Sequence, residues 1–149
     1  MVALELSLRD NSSGSHSEMI DLAELIKIAE ERLKDAEALL AAGRYDGAIY
    51  LGGYVIELTL KSRICKVLRW KGFPQTRSEF QKYQSFKTHD LDVLLSLSGA
   101  EDKIKTGYLA EWSAVATWDP EARYNPIGSA SKSDAELLIE SAKKLMGAL

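Results

Sequence analysis

Histidine and cysteine are scarce in this sequence, and their scarcity excludes several kinds of site. The chain has one cysteine, Cys65, and two histidines, His16 and His89. A single thiol forms neither an intrachain disulfide nor a cysteine-rich zinc site. The sequence also lacks the spacing of His, Asp or Glu that is typical of zinc and calcium sites. We therefore expect no metal ion and no cofactor.

Long apolar runs and an excess of positive charge are also absent. No run approaches the roughly 20 residues that a membrane-spanning helix needs, and the first residues lack the pattern of a secretory signal. The formal net charge of −3 argues against a large electrostatic surface for nucleic acid. Hydrophobic residues make up 46% of the chain, which is enough to form a core. These features predict a cytoplasmic protein with no membrane partner.

Residues 1–18 differ in composition from the rest of the chain. The segment from Asn11 to Ser17 is polar and low in complexity, and Gly14-Ser15-His16 resembles an expression-vector remnant. We expect residues 1–18 to be a flexible leader and residues 19–149 to form a single helical domain.

Apolar residues recur at helical spacing in five segments, at about 19–42, 46–70, 88–99, 101–118 and 133–149. Asp21 with Glu24, and Ser133 with Glu136, have the spacing of capping boxes, and Thr88 is a good N-cap. No segment alternates with period two, so we expect no sheet. Short links between amphipathic helices predict an all-α fold, an antiparallel up-and-down bundle of about five helices.

The second helix carries four polar side chains along one face: Tyr50, Tyr54, Glu57 and Lys61. They fall within a sector about 60° wide, with apolar residues on both sides. This set, the polar row, should lie inside the bundle or along its groove, and it is the candidate site. The same helix contains Gly47, Gly52 and Gly53, which predict close approach of a neighbouring helix, either within one chain or between two chains.

Two functions of the polar row are consistent with its residues. Glu57 and Lys61 are spaced i,i+4 in the order that favours an ion pair, which would shield the helix within the bundle. Alternatively, Lys61 contacts a phosphate while Tyr50 and Tyr54 stack on a base, as in binding of a nucleotide or a single-stranded end.

Four further candidate residues come later in the chain. His89 and Asp90 lie at the predicted start of the third helix, where His89 forms a local hydrogen bond or serves as an acceptor or base. Arg123 and Tyr124 lie in the loop after the fourth helix. We expect Arg123 to pair with Glu57 or Asp90 across the bundle; the alternative is an anion-binding arginine at the mouth of the groove.

Four sequence segments, AAGRYDGAIY, ELTLKSRI, KTHDLDVLL and WDPEARY, follow one another between residues 41 and 124. In this order and spacing they resemble the HEPN domain, a helical domain of higher eukaryotes and prokaryotes that is described as nucleotide-binding. The resemblance implies a HEPN-like bundle that often forms homodimers. Many relatives are encoded beside, or fused to, minimal nucleotidyltransferases in toxin–antitoxin-type pairs. We therefore expect a prokaryotic homodimer with a nucleotidyltransferase-type partner and a nucleotide or RNA as ligand.

Some HEPN relatives are RNases that use an arginine followed, after four to six residues, by a histidine. The segment after Arg123 contains no histidine, and Arg77 is too far from His89. His16 follows Arg9 at that distance, but both lie in the predicted leader. The sequence therefore predicts no catalytic residue, and it favours a non-catalytic interaction or nucleotide-binding module. The alternatives are a divergent metal-independent RNase toxin that uses Arg123 with His89 or a tyrosine, and a purely structural dimer.

Overall fold

The computed structural model describes residues 19–74 and 88–149. The predicted leader, residues 1–18, and residues 75–87 of the link after the second helix lie outside the described residues. The described elements, in chain order, are β1 (Ile20–Asp21), α1 (Leu22–Ala41), α2 (Tyr45–Leu68), β2 (Gly72–Phe73), α3 (Leu91–Ser98), α4 (Glu101–Gly107), α5 (Leu109–Val115), a 3₁₀ helix (Pro120–Tyr124) and α6 (Lys132–Ala148). The predicted all-α bundle is confirmed.

A tight turn folds α2 back along α1. Gly43 has a positive φ of 75°, which glycine adopts without strain just after the end of a helix. The amide of Arg44 then donates to the carbonyl of Leu39 at 2.8 Å. This turn places the two longest helices side by side and antiparallel.

Helix α2 lies at the centre of the bundle. It packs against α1, α3, α6 and the 3₁₀ helix. The buried apolar residues of α2 include Val55, Ile56, Leu60, Ile64 and Cys65. Burial raises the pKa of the Cys65 thiol to about 11, so this thiol stays neutral and packs as a small apolar group.

Two glycines of α2 allow close contact within the chain. A Cβ added at Gly52 would collide with the side chain of Leu138 on α6, and one added at Gly53 would overlap the indole ring of Trp118. The close approach predicted for these glycines therefore occurs between elements of one chain.

The prediction of no sheet is wrong, because β1 and β2 form a two-residue antiparallel ladder. Ile20 pairs with Phe73 and Asp21 with Gly72. Asp21 belongs to this ladder and is also the N-cap of α1, but its side chain makes no capping hydrogen bond, so the predicted capping box with Glu24 is not formed. A ladder this short produces no detectable alternation in the sequence.

The N-caps of α3 and α6 also differ from the prediction. Asp90, rather than Thr88, caps α3 by accepting from the amide of Val93 at 3.2 Å. The N-cap of α6 is Ser131, two residues before the expected Ser133, and it forms a capping box with Asp134. Several neighbouring residues in each segment have cap chemistry, so spacing alone did not choose between them.

The predicted fourth helix is divided into α4 and α5. Tyr108 has φ −136° and ψ 32°, outside the helical region. It follows Gly107, and glycine is a poor helix former. None of the described helices has the length and apolar character needed to cross a membrane.

Replacing Gly53 with alanine is expected to lower the free energy of unfolding by about 1–3 kcal/mol, because the added methyl overlaps Trp118. Urea denaturation measures the change. The control is Gly147→Ala in α6, where an added Cβ meets nothing within 4 Å and alanine favours the helix by up to about 1 kcal/mol. A Gly53→Ala variant as stable as the unsubstituted protein would contradict close packing of Trp118 on α2.

Candidate functional site

The two tyrosines of the polar row form an aromatic cluster with Trp118. The ring centroids of Tyr50 and Tyr54 are 5.2 Å apart in an edge-on arrangement. Tyr54 also meets Trp118 edge-on at 4.9 Å. Both tyrosines are half-buried. Burial, with a smaller contribution from the Tyr50 hydroxyl, raises the pKa of Tyr54 to about 12, so Tyr54 stays neutral at physiological pH.

Glu57 is a buried carboxylate with two partners. Its residue is 2% exposed. One oxygen accepts from Lys61 Nζ at 3.2 Å, and the other contacts His89 Nδ1 at 2.8 Å. The predicted ion pair between Glu57 and Lys61 is therefore formed. The contact with His89 was not predicted, because the expected bond of His89 was a local one.

His89 presents its imidazole partly to solvent. Its side chain is 60% exposed, compared with 14% for Lys61 and 3% for Glu57. A carboxylate can only accept a hydrogen bond, so in this pair Nδ1 carries the hydrogen and donates it. In the neutral form of such a ring the lone pair is on the second nitrogen, Nε2, as in a histidine oriented for proton transfer.

Arg123 makes neither of the ion pairs expected for it. The oxygens of Glu57 are occupied by Lys61 and His89, and the carboxylate of Asp90 caps α3. Pairing of Arg123 with Glu57 or Asp90 was therefore a wrong prediction.

The surroundings of Arg123 are local instead. Its Nη1 donates to the carbonyl of Pro120 at 3.1 Å. Its guanidinium carbon lies 4.7 Å from the ring centroid of Tyr124. Hydrogen bonding with Tyr124, and less strongly with Tyr50, raises its pKa further above the ordinary value. Arg123 is thus an exposed, permanently charged cation, and it lies beside Tyr50, the first residue of the polar row.

Two depressions flank the segment Thr117–Asp119, which lines both of them. The larger, the Arg123 cleft, has a volume of about 710 Å³ and includes Tyr50. The smaller, the His89 pocket, has a volume of about 260 Å³ and includes Asp90. His89 and Arg123 therefore face different depressions, with Trp118 at their shared wall.

Trp118 is the residue whose importance the sequence did not reveal. The predicted fourth helix ended at this residue, which was not among the candidate site residues; it is 6% exposed and packs on Gly53. Its indole nitrogen has no hydrogen-bond partner among the described residues. The available signal was Gly53 itself, because a glycine within a buried helix marks a place where another group comes close.

Asp46 shapes the outer wall of the Arg123 cleft. Its carboxylate accepts from the amides of Gly128 at 2.6 Å and Ala130 at 2.9 Å. These two bonds, first the one from Gly128, lower the pKa of Asp46. The first turn of α2 thereby anchors the loop that precedes α6. Within residues 19–74 and 88–149, no group of three or more His, Cys, Asp or Glu side chains is placed to hold a metal ion.

Replacing Glu57 with alanine is expected to lower the free energy of unfolding by about 3 kcal/mol, because the partly buried Lys61 loses its partner. Thermal or urea unfolding measures the loss. The matched control is Glu31→Ala, which removes an exposed ion pair with Lys34 and should cost under about 1 kcal/mol. Equal losses in the two variants would contradict a structural role for the Glu57 network.

One protein-family model matches part of the chain. The HEPN domain model matches residues 22–77, less than half of the chain. The match contains α1, α2 and β2, and with them the whole polar row, whereas KTHDLDVLL and WDPEARY lie beyond it. No curated protein and no solved structure matches the chain. The family match confirms the resemblance read from the sequence over residues 22–77, which match the model of the HEPN domain.

Proposed function

We propose that this protein is a non-catalytic interaction module of the HEPN type, which acts as a cytoplasmic homodimer with a nucleotidyltransferase-type partner. The HEPN match over the central helices supports the module itself. The dimer, the partner and a toxin–antitoxin-like setting rest on the family resemblance.

One observation carries the proposal: the charges of the polar row are satisfied within the protein. Glu57 is buried and is bound by Lys61 and His89. Lys61 is mostly covered and already paired, so its attraction for a phosphate is largely cancelled by the adjacent carboxylate. This arrangement fits an internal network that stabilises the bundle better than it fits a phosphate receptor.

The Arg123 cleft also favours a protein partner over a nucleotide. Arg123 shares the cleft with Asp119, Glu121 and Asp134. A nucleoside triphosphate would meet several carboxylates for each cation, and like charges at this range repel. An aromatic wall alone, here Tyr50, does not offset that repulsion.

A dimer interface would have to use a surface other than the glycine face of α2. Gly52 and Gly53 are covered by Leu138 and Trp118 of the same chain. Exposed apolar side chains are available elsewhere; Leu109, for example, is 57% exposed on α5. Such side chains support association with a second protein surface.

Co-expression with a nucleotidyltransferase-type protein encoded beside its gene tests the proposal. The two proteins should co-purify in a fixed ratio, and light scattering of the chain alone should give about twice its mass of 16.5 kDa. A monomer at micromolar concentration would overturn the dimer, and failure to co-purify would overturn the partner.

A thermal-shift screen against nucleotides is the control for this experiment. The interaction module predicts no rise in melting temperature with mono-, di- or triphosphates. A rise that Lys61→Ala and Arg123→Ala both remove would replace the proposal with a nucleotide-binding module.

A divergent RNase is the second candidate, and the Glu57–His89 pair favours it. A buried carboxylate that orients an exposed imidazole is the arrangement of a general base. Arg123 could supply the cation for a phosphorane. The separation of His89 and Arg123 into two depressions weighs against a shared active centre.

Incubation of the purified protein with single-stranded RNA distinguishes the two candidates. The interaction module predicts no cleavage. The RNase predicts cleavage that both His89→Ala and Arg123→Ala abolish, while Lys34→Ala, a surface substitution on α1, leaves it unchanged. Cleavage that depends on both His89 and Arg123 would contradict the non-catalytic proposal.

A further inference from the structure

The outer wall of the Arg123 cleft holds an isoleucine in solvent. Ile127 is fully exposed, although it lines the cleft. It sits in a turn closed by the Ser129 amide, which donates to the carbonyl of Pro126 at 3.1 Å. Gly128, the next residue, has a φ of 83°, which is the value at the third position of a type II turn. The turn therefore presents the Ile127 side chain outward.

Side-chain hydrogen bonds from another part of the chain fix this turn in place. Asp46 binds the amides of Gly128 and Ala130, so the wall is fixed to the first turn of α2. A large apolar side chain kept exposed by an anchored turn leaves its hydrophobic surface available to another molecule.

Other exposed apolar groups continue this rim. Leu137 on α6 is 57% exposed and also lines the cleft. Tyr124, 71% exposed, adjoins the cleft residue Arg123. Ile127 and Leu137, which both line the cleft, form the apolar rim, and Tyr124 lies outside the lining. Burying such side chains stabilises a complex through the hydrophobic effect.

The interior of the cleft is acidic. Four carboxylates line it, those of Asp46, Asp119, Glu121 and Asp134, against the single guanidinium of Arg123. Backbone amides lower the pKa of Asp46, and hydrogen bonds from Ser131 lower that of Asp134. Both are therefore ionised at neutral pH, and the cleft carries net negative charge.

Some carboxylate oxygens of the cleft can still accept hydrogen bonds from another molecule. Asp119 uses Oδ1 to accept from the Glu121 amide at 2.6 Å, and Asp134 uses Oδ2 to accept from Ser131. The other oxygen of each, and the Glu121 carboxylate, accept no hydrogen bond from the described residues. A guanidinium or ammonium group entering the cleft would find these acceptors available.

We propose that the Arg123 cleft docks a segment of the partner protein in which an arginine or lysine lies between apolar side chains. The proposal names the partner chemistry for the interaction function proposed above and rests on it. An acidic segment would be repelled by the carboxylates. A wholly apolar segment would desolvate them without replacing their hydrogen bonds, which would destabilise the complex.

An NMR titration of the ¹⁵N-labelled protein tests the docking. The probe is an amphipathic peptide of leucine and arginine, about a dozen residues long. It should shift the amide signals of Glu121, Gly128 and Ala130. The same peptide with glutamate in place of arginine should shift none of them. Absence of these shifts at millimolar arginine peptide, or equal shifts with the glutamate peptide, would overturn the proposal.

Two charge reversals make the test specific to the cleft. Glu121→Lys should lower the affinity of the protein for the arginine peptide about tenfold, because it reverses a charge inside the cleft. Glu30→Lys, an exposed residue of α1 that does not line the cleft, changes the net charge equally and should leave the affinity within about twofold. Equal effects of the two substitutions would mean non-specific attraction and would overturn the proposal.

The co-purification experiment separates failure of this inference from failure of the proposed function. If the nucleotidyltransferase-type partner still binds the Glu121→Lys protein at full strength and the peptide does not bind, the interaction module stands and the cleft is not its docking site. If the unsubstituted protein binds neither the partner nor the arginine peptide, both are wrong.

Discussion

The packing of Trp118 against Gly53 is the contact on which the candidate site depends. Because α2 has no side chain at this position, the indole lies directly on the helix, and Tyr54 meets it edge-on at 4.9 Å. Trp118 immediately precedes Asp119, the N-cap of the 3₁₀ helix that carries Arg123. The contact therefore places Arg123 beside the polar row. It also supplies the wall that separates the Arg123 cleft from the His89 pocket.

The buried carboxylate of Glu57 is the second constraint, and it links α2 to the start of α3. A charge removed from water is tolerated only when its hydrogen bonds are replaced, and Lys61 and His89 replace them here. The two partners differ in exposure, 14% for the Lys61 side chain and 60% for that of His89. Lys61 is thus committed to the interior, whereas His89 is the member of the network that another molecule can reach.

The sequence predicted those features that depend on neighbouring residues. Helical spacing indicated α1 and α2, and the i,i+4 spacing predicted the Glu57–Lys61 pair. Features that depend on distant residues were missed. His89 follows Glu57 by 32 positions, and no local pattern connects them. The two-residue ladder is too short to produce a periodicity, and the break at Tyr108 is a change of backbone dihedrals within a continuous helical pattern.

The polar row and the Arg123 cleft differ in charge balance. The paired charges of the row suit stabilisation of the bundle, whereas the unbalanced charges of the cleft suit recognition of another molecule. In the row each charge has a partner, so little net field reaches solvent. In the cleft the carboxylates outnumber the guanidinium, so the field extends outward and acts on an approaching molecule. Asp46 contributes to both, because it anchors the loop and adds negative charge. Its loss would disturb the wall and the field together, whereas Glu121 contributes charge through a side chain that supports no backbone bond. The electrostatics of the cleft can therefore be changed at Glu121 without dismantling its wall.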